Sequence, residues 1–269
     1  MKIQTCAKVN LGLNVVERRP DGYHNLETVF YPIALHDEIE IEPLPSGQCQ
    51  LEISGTPVAC DVEKNLVVKA YRLLSKHYEL PGVHIRLTKQ VPMEAGLGGG
   101  SADCAFTLRL LNEMFTLGLS SVKLREYAAT LGADCAFFID PQPSYAEGIG
   151  ECLEPVGVDL NGYHFVIVKP PVSVSTREAF ANIRPHRPAK NCRKVVCQPI
   201  ATWRDELTND FEESILPSFP VIGEIKAELY RQGALYAAMS GSGSAVFGIF
   251  KEVDEGTAKF FDNCYVKIL

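Results

Sequence analysis

Val91-Pro92-Met93-Glu94-Ala95-Gly96-Leu97-Gly98-Gly99-Gly100-Ser101-Ala102 is the stretch on which the reading of this chain turns. Four glycines fall within residues 96–100, and flanking residues give them a structural setting. Val83–Leu87 has the alternation of a strand, while Ala102, Ala105, Phe106, Leu108 and Leu111 have the spacing of a helix. A strand, a glycine loop and a helix start in succession bring bare backbone and free N–H groups to one point, which suits a phosphate. Ser101 is the expected N-cap. The loop lacks the Gly-Lys-Ser/Thr ending of a P-loop, and the third glycine of a dinucleotide fingerprint would fall on Ser101.

Strands are expected on the N-terminal side. Ala7 to Val16 alternates through Val9, Leu11, Leu13 and Val15, as a half-buried strand does. Arg18 to Gly22 reads as a turn, with strands at Leu26–Tyr31, Asp37–Ile41 and Cys49–Ile53 and a helix starting near Asn65. A second helix runs from about Ser120 to Leu131 and stops at Gly132. Beyond residue 153 the pattern changes. It gives a strand Tyr163–Lys169, a short helix Ser175–Ile183, an exposed basic loop to Pro199, and helices at Ala201–Ser214 and Phe219–Arg231. Strands Tyr236–Ser240 and Ser244–Phe250, a helix Asp254–Asp262 and a strand Cys264–Ile268 complete the order of a ferredoxin-like α+β lobe. The expected division is therefore an N-terminal domain, 1–153, and a C-terminal domain, 154–269.

The 269 residues carry 26 Lys+Arg against 33 Asp+Glu, a net charge of −7 that argues against duplex nucleic acid as a partner. No apolar run reaches membrane-spanning length, and the start has no signal segment, so a soluble cytoplasmic protein without membrane partner is expected. The nine cysteines are scattered and form no Cys-x-x-Cys, which favours reduced, mostly buried thiols; no histidine pair has ligand spacing, and no structural metal is expected. The pattern assigns no oligomeric state.

Other candidate positions are individually weak. Lys8 and Asn10 fall on the polar side of the first strand, where a solvated face is the commoner case. Ser240-Gly241-Ser242-Gly243-Ser244 lies between two strands and fits either a tight hairpin or a second anion nest. Asp134 could be only a helix cap, and Tyr23 and His24 only surface residues.

Taken in order, Lys8-x-Asn10-Leu11, the loop from Pro92 to Ala102, and Ser240 to Ser244 resemble the three motifs of the GHMP kinases. Ala7 to Leu13, Arg19-Pro20-Asp21-Gly22-Tyr23-His24-Asn25-Leu26, Glu63 to Leu66, Leu131 to Asp134 and Pro171 to Thr176 are similar to the branch that acts on a cytidyl-diphosphate sugar alcohol. The resemblance spans residues 2 to about 250. It implies a two-lobed α+β fold, with an N-terminal lobe like domain 2 of ribosomal protein S5 and a ferredoxin-like C-terminal lobe. It implies transfer of the γ-phosphoryl group of ATP, with Mg²⁺ held chiefly by phosphates and water, to the 2-hydroxyl of a methylerythritol unit on the non-mevalonate isoprenoid route.

The same resemblance implies residue roles. Asp134 would accept the hydroxyl proton, assisted by Lys8. ATP would lie against Asn65, Lys89 and the loop Pro92, Met93, Glu94, Ala95, Gly96, Leu97, Gly98, Gly99, Gly100, Ser101 and Ala102. The acceptor would meet Asn10, Tyr23, His24, Thr176, Phe180, Ser240 and Gly241, with cytosine between Tyr23 and Phe180 and its edge read by His24. For Phe180 alone, a core position is the commoner reading. Three features depart from the family pattern: a single serine, Ser101, in the loop; Ser175 where many members have proline; and the segment 183–198, which matches no motif placed in the family. The alternatives are a homoserine or mevalonate type of kinase, an RNA-binding module of the same fold, and a non-catalytic nucleotide sensor.

Overall fold

The computed structural model describes residues 1–45, 47–57, 61–254 and 256–269. Twelve strands are described: β1 Lys2–Gln4, β2 Ala7–Arg18, β3 His24–Ile33, β4 Glu38–Leu44, β5 Cys49–Gly55, β6 Gly82–Lys89, β7 Ser144–Glu147, β8 Cys152–Pro155, β9 His164–Lys169, β10 Tyr236–Met239, β11 Val246–Phe250 and β12 Tyr265–Ile268. The helices are α1 Leu66–Ser75, α2 Gly99–Met114, α3 Ser121–Leu131, α4 Thr176–Ala181, α5 Cys192–Val195, α6 Trp203–Glu206, α7 Asp210–Ile215 and α8 Pro220–Arg231. No helix among the described residues is long and apolar enough to cross a membrane.

The chain forms two compact units that interleave in sequence. The first comprises Met1–Ala7, Pro32–Met93 and Gly98–Pro141. Its sheet has the order β1-β4-β6-β5, with β5 parallel to β6 (Leu51 opposite Ile85) and β4 antiparallel to it (Ile41 opposite Ile85). Ile39, Ile41, Val83, Ile85 and Leu87 are buried, as period-2 alternation requires of one covered face. Helix α1 connects the parallel pair, and its N-cap is Asn65, whose Oδ1 accepts from the Val67 N–H at 3.0 Å. Helix α3 starts on Ser120 and stops at Gly132, as expected.

The second unit comprises Lys8–Tyr31, Glu94–Leu97 and Gln142–Leu269 and has two sheets, β2-β3-β7-β8 and β10-β11-β9-β12. In the latter every pairing is antiparallel. Numbered within the C-terminal half, its strands lie in the order 2-3-1-4, the ferredoxin-like arrangement. Val168, Val246, Ile222, Leu229, Phe211 and Ile215 anchor the apolar cluster between its helices and strands.

Several expectations need correction. β2 is buried on both faces from Ala7 to Val15, so it is not the half-buried strand its alternation suggested. Helix α2 begins three residues early: its N-cap is Gly98 at φ 72°, without a side-chain cap, and Ser101 lies inside the first turn. The loop before Pro199 contains α5, whose Cys192 and Val195 are buried. The expected helix 201–214 breaks at Leu207, because Asn209 leaves the helical ladder to cap α7, accepting from the Phe211 N–H at 3.0 Å. The expected helix 254–262 is a 3₁₀ turn, Thr257–Phe260; Glu255 lies outside the described residues. Cys60 also lies outside them. The eight described cysteines are free, but only Cys104, Cys135 and Cys192 are buried, while Cys152 and Cys197 are exposed.

Candidate active site

In the second unit, residues from three separated segments meet at one atom. The Gly96 carbonyl accepts from Lys8 Nζ at 2.9 Å and from Ser240 Oγ at 2.9 Å. Gly96 sits at φ +72°, and a Cβ there would stand 1.9 Å from the Ser240 carbonyl oxygen, so no other residue fits. Gly241, at φ +52°, also sits close to the site, though less tightly: an added Cβ would lie 3.3 Å from Asn10 Oδ1 and 3.4 Å from Lys8 Nζ.

Lys8 is 3% and Asn10 1% exposed. The solvated strand face considered for them is absent, and burial obliges both to find partners. Lys8 donates to Asn10 Oδ1 at 2.6 Å and lies 5.1 Å from the centroid of Phe30. Asn10 Nδ2 donates to Thr28 Oγ1 at 2.9 Å, and Thr28 donates onward to the Gly12 carbonyl at 2.5 Å. This chain of bonds orients the Asn10 amide, with its oxygen toward the ammonium. Asn209 supports the second glycine cluster, donating to the carbonyls of Met239 at 2.7 Å and Gly241 at 2.8 Å. The motifs held no hint of Thr28 or Asn209; the Asn209-Asp210 pair at a helix start was the available signal for the latter.

Of the expected acceptor residues of the same unit, His24 starts β3, and Thr176 and Phe180 belong to α4. Tyr23 is 62% exposed, next to a turn in which Gly22 takes φ 88° and the Asp21 carboxylate accepts from the Tyr23 N–H at 3.0 Å. The His24 and Phe180 rings are stacked, centroids 4.7 Å apart and planes 18° from parallel. Burial, with the Arg18 charge second, holds the His24 pKa below its ordinary value, so the ring in this stack is neutral near pH 7. Phe180 is half-buried and braced edge-on by Phe211 at 4.8 Å. Thr176, exposed, is the first residue of α4, whose N-cap Ser175 forms a capping box with Glu178. The departure from proline at position 175 thus has a structural reason.

In the first unit, Ser101 lies in the first turn of α2, and Asp134, half-buried, in the 3₁₀ segment Ala133–Ile139. The Cys135 thiol hydrogen-bonds Cys104 and Ser101, which ties that segment to α2. Lys89 is 2% exposed, and its ammonium is paired with Asp37 and, at 2.7 Å, with Asp103. Among the described residues no three His, Cys, Asp or Glu side chains are grouped to hold a metal ion.

Residues 65–141 match the family described as GHMP kinases N terminal domain, and residues 189–262 match GHMP kinases C terminal. These two matches define the class: a GHMP kinase, in a group whose phosphoryl donor is ATP. A 4-diphosphocytidyl-2-C-methyl-D-erythritol kinase of Bacteroides thetaiotaomicron is 55% identical over 267 residues, covering 94% of this chain and 96% of that protein. The crystal structure of a 4-(cytidine 5'-diphospho)-2C-methyl-D-erythritol kinase superposes with a TM-score of 0.83 at 31% identity, over 100% of this chain and 98% of the other. A homoserine kinase from Cytophaga hutchinsonii, with TM-score 0.69 and 19% identity over 100% of this chain and 93% of that one, shares the fold. The chain belongs to the 4-diphosphocytidyl-2-C-methyl-D-erythritol kinase family of GHMP kinases.

Proposed function

We propose that the chain transfers the γ-phosphoryl group of ATP to the 2-hydroxyl of 4-diphosphocytidyl-2-C-methyl-D-erythritol, giving the 2-phosphate and ADP, as a cytoplasmic step of non-mevalonate isoprenoid synthesis. The observation that carries this reading is the Gly96 carbonyl, at which Lys8, the glycine loop and Ser240 converge. A loop fixed in this way presents its N–H groups without reorganising when a triphosphate arrives.

Phosphoryl transfer passes through a loose transition state, so the protein's work is positioning and charge stabilisation. Gly98, Gly99 and Gly100 bring backbone N–H groups and the positive end of α2 to the phosphates, and the Ser101 hydroxyl adds a donor. Asp134 takes the proton of the acceptor hydroxyl. A carboxylate is a far weaker base than an alkoxide, so the proton leaves as the P–O bond forms and not before. Lys8 stabilises negative charge on the acceptor oxygen, and Asn10 fixes the direction of its ammonium. When bound with ATP, Mg²⁺ would be held by the phosphates and water and would supply positive charge to the phosphate oxygens.

The cytosine is placed against Tyr23 and Phe180. For this the His24 ring leaves the Phe180 face on which it now stacks and turns to the base edge. The test is ³¹P NMR of the product made from ATP and the full acceptor. A new phosphomonoester on the tertiary 2-oxygen supports the reading, and ATP hydrolysis without a phosphorylated acceptor rejects it.

A further inference from the structure

Lys89, Asp37 and Asp103 form a buried ionic triad in the first unit, with exposures of 2%, 0% and 3%. Each carboxylate ties the ammonium to a different element. Asp37, the residue before β4, also accepts from the N–H groups of Gln90 at 2.5 Å and Val91 at 2.8 Å, where the chain leaves β6. Asp103 belongs to α2, in the turn after Ser101. A Cβ on Gly99, the first residue of α2, would stand 2.9 Å from Val91 Cγ1 and 3.4 Å from Lys89 Nζ, so the ammonium lies directly behind the start of that helix. The Lys89 carbonyl accepts from Thr56 at 2.9 Å, which leaves the residue fixed at both ends.

Two carboxylates against one ammonium leave the cluster one negative charge in excess when all are ionised. Asp103 Oδ1 is buried and has no hydrogen-bond partner among the described residues, which is a costly state for a carboxylate. A proton on Asp103 would remove both the excess charge and that cost.

We propose that Lys89, clamped between Asp37 and Asp103, is a positioning residue for the phosphate-binding end of α2: its ammonium sets the backbone and the positive charge that the triphosphate meets, without touching the nucleotide, and protonation of Asp103 adjusts that charge. The inference rests on the reading of the glycine loop as the triphosphate site. Burial raises the Asp103 pKa to about 7, against the pull of Lys89 and with the help of Asp37, so the adjustment falls in the neutral range. Lys89 from β6 and Asp37 from the edge of β4 are the charged groups that act on it. Lys89 stays protonated: burial opposes its charge, but Asp103 and Asp37 outweigh burial and raise its pKa.

The test is calorimetric binding of ATP, GTP and inorganic tripolyphosphate to the full chain and its Asp103→Asn and Lys89→Met variants, at about pH 6 and about pH 8.5. Asp103→Asn keeps the shape of the side chain and mimics its protonated form. It is expected to bind ATP and tripolyphosphate like wild type at the lower pH and on the order of fivefold more tightly at the higher one. Lys89→Met should weaken both ligands roughly tenfold and leave the ATP to GTP ratio unchanged. Should Lys89→Met not fold, Asp103→Asn carries the test. An Asp103→Asn variant parallel to wild type at both pH values overturns the inference. So does a Lys89→Met variant that loses ATP over GTP preference while tripolyphosphate binds normally, since that marks a base contact. Failure of wild type to bind any of the three ligands sinks the phosphate-loop reading and the inference together.

Discussion

Gly96 is the position where a single added methyl group does most damage. Ala at this position must hold φ near +72° and place its Cβ 1.9 Å from the Ser240 carbonyl oxygen. Gly96→Ala is therefore expected to destabilise the chain by about 3 kcal/mol or more and to abolish turnover, as read by urea unfolding and ADP release. Asp134→Asn keeps size and hydrogen bonding but cannot take a proton. Turnover should fall roughly 10²–10⁴-fold with ATP still bound, and a folded variant of near-normal kcat removes Asp134 from the mechanism. Lys8, Asn10, Gly96 and Ser240 were legible because the motifs are local in sequence and their residue types are chemically marked. Thr28, Asn209, Asp37 and Asp103 were not. Each is an ordinary polar residue whose function lies in a buried partner far away in the chain, such as Met239 for Asn209 and Lys89 for Asp37.

Helix α4 has six residues, too few to be stable by propensity, so its cap and its packing hold it. Ser175 accepts from the Glu178 N–H at 3.1 Å, and the Glu178 carboxylate accepts from the Ser175 N–H at 2.9 Å. Ser175→Ala should cost about 1 kcal/mol in urea unfolding and raise KM for the acceptor more than for ATP, because α4 carries Phe180. Equal change in both KM values would detach α4 from the acceptor. Strands and long helices could be placed from period and caps, as Asn65, Ser120 and Gly132 illustrate. The failures came where a side chain competes with the backbone ladder. Asn209 breaks one expected helix in this way, and at the start of α2 a glycine at positive φ replaces the expected serine cap.

For the whole molecule, Asp103 couples stability to pH. Its folded pKa of about 7 lies above the ordinary carboxylate value, so the native state holds a proton that the unfolded chain has released. Stability should fall as pH rises from about 4 to about 7 and then level off, and Asp103→Asn should flatten that slope in urea unfolding at several pH values. The ferredoxin-like sheet was legible from element order alone, since β9, β10, β11 and β12 alternate with helical segments in the required sequence. The three-sheet arrangement was not, because β3 pairs with β7, more than a hundred residues away (Thr28 opposite Ala146), and no local pattern records such pairing. Acceptor choice is the central claim, and steady-state ADP release measures it most directly. With 4-diphosphocytidyl-2-C-methyl-D-erythritol, methylerythritol 4-phosphate and homoserine as acceptors, the account predicts efficient turnover of the first only. It also predicts that Tyr23→Ala lowers kcat/KM for that acceptor while leaving ATP affinity in place. Equal efficiency on the full and truncated acceptors, or preference for homoserine, would contradict it.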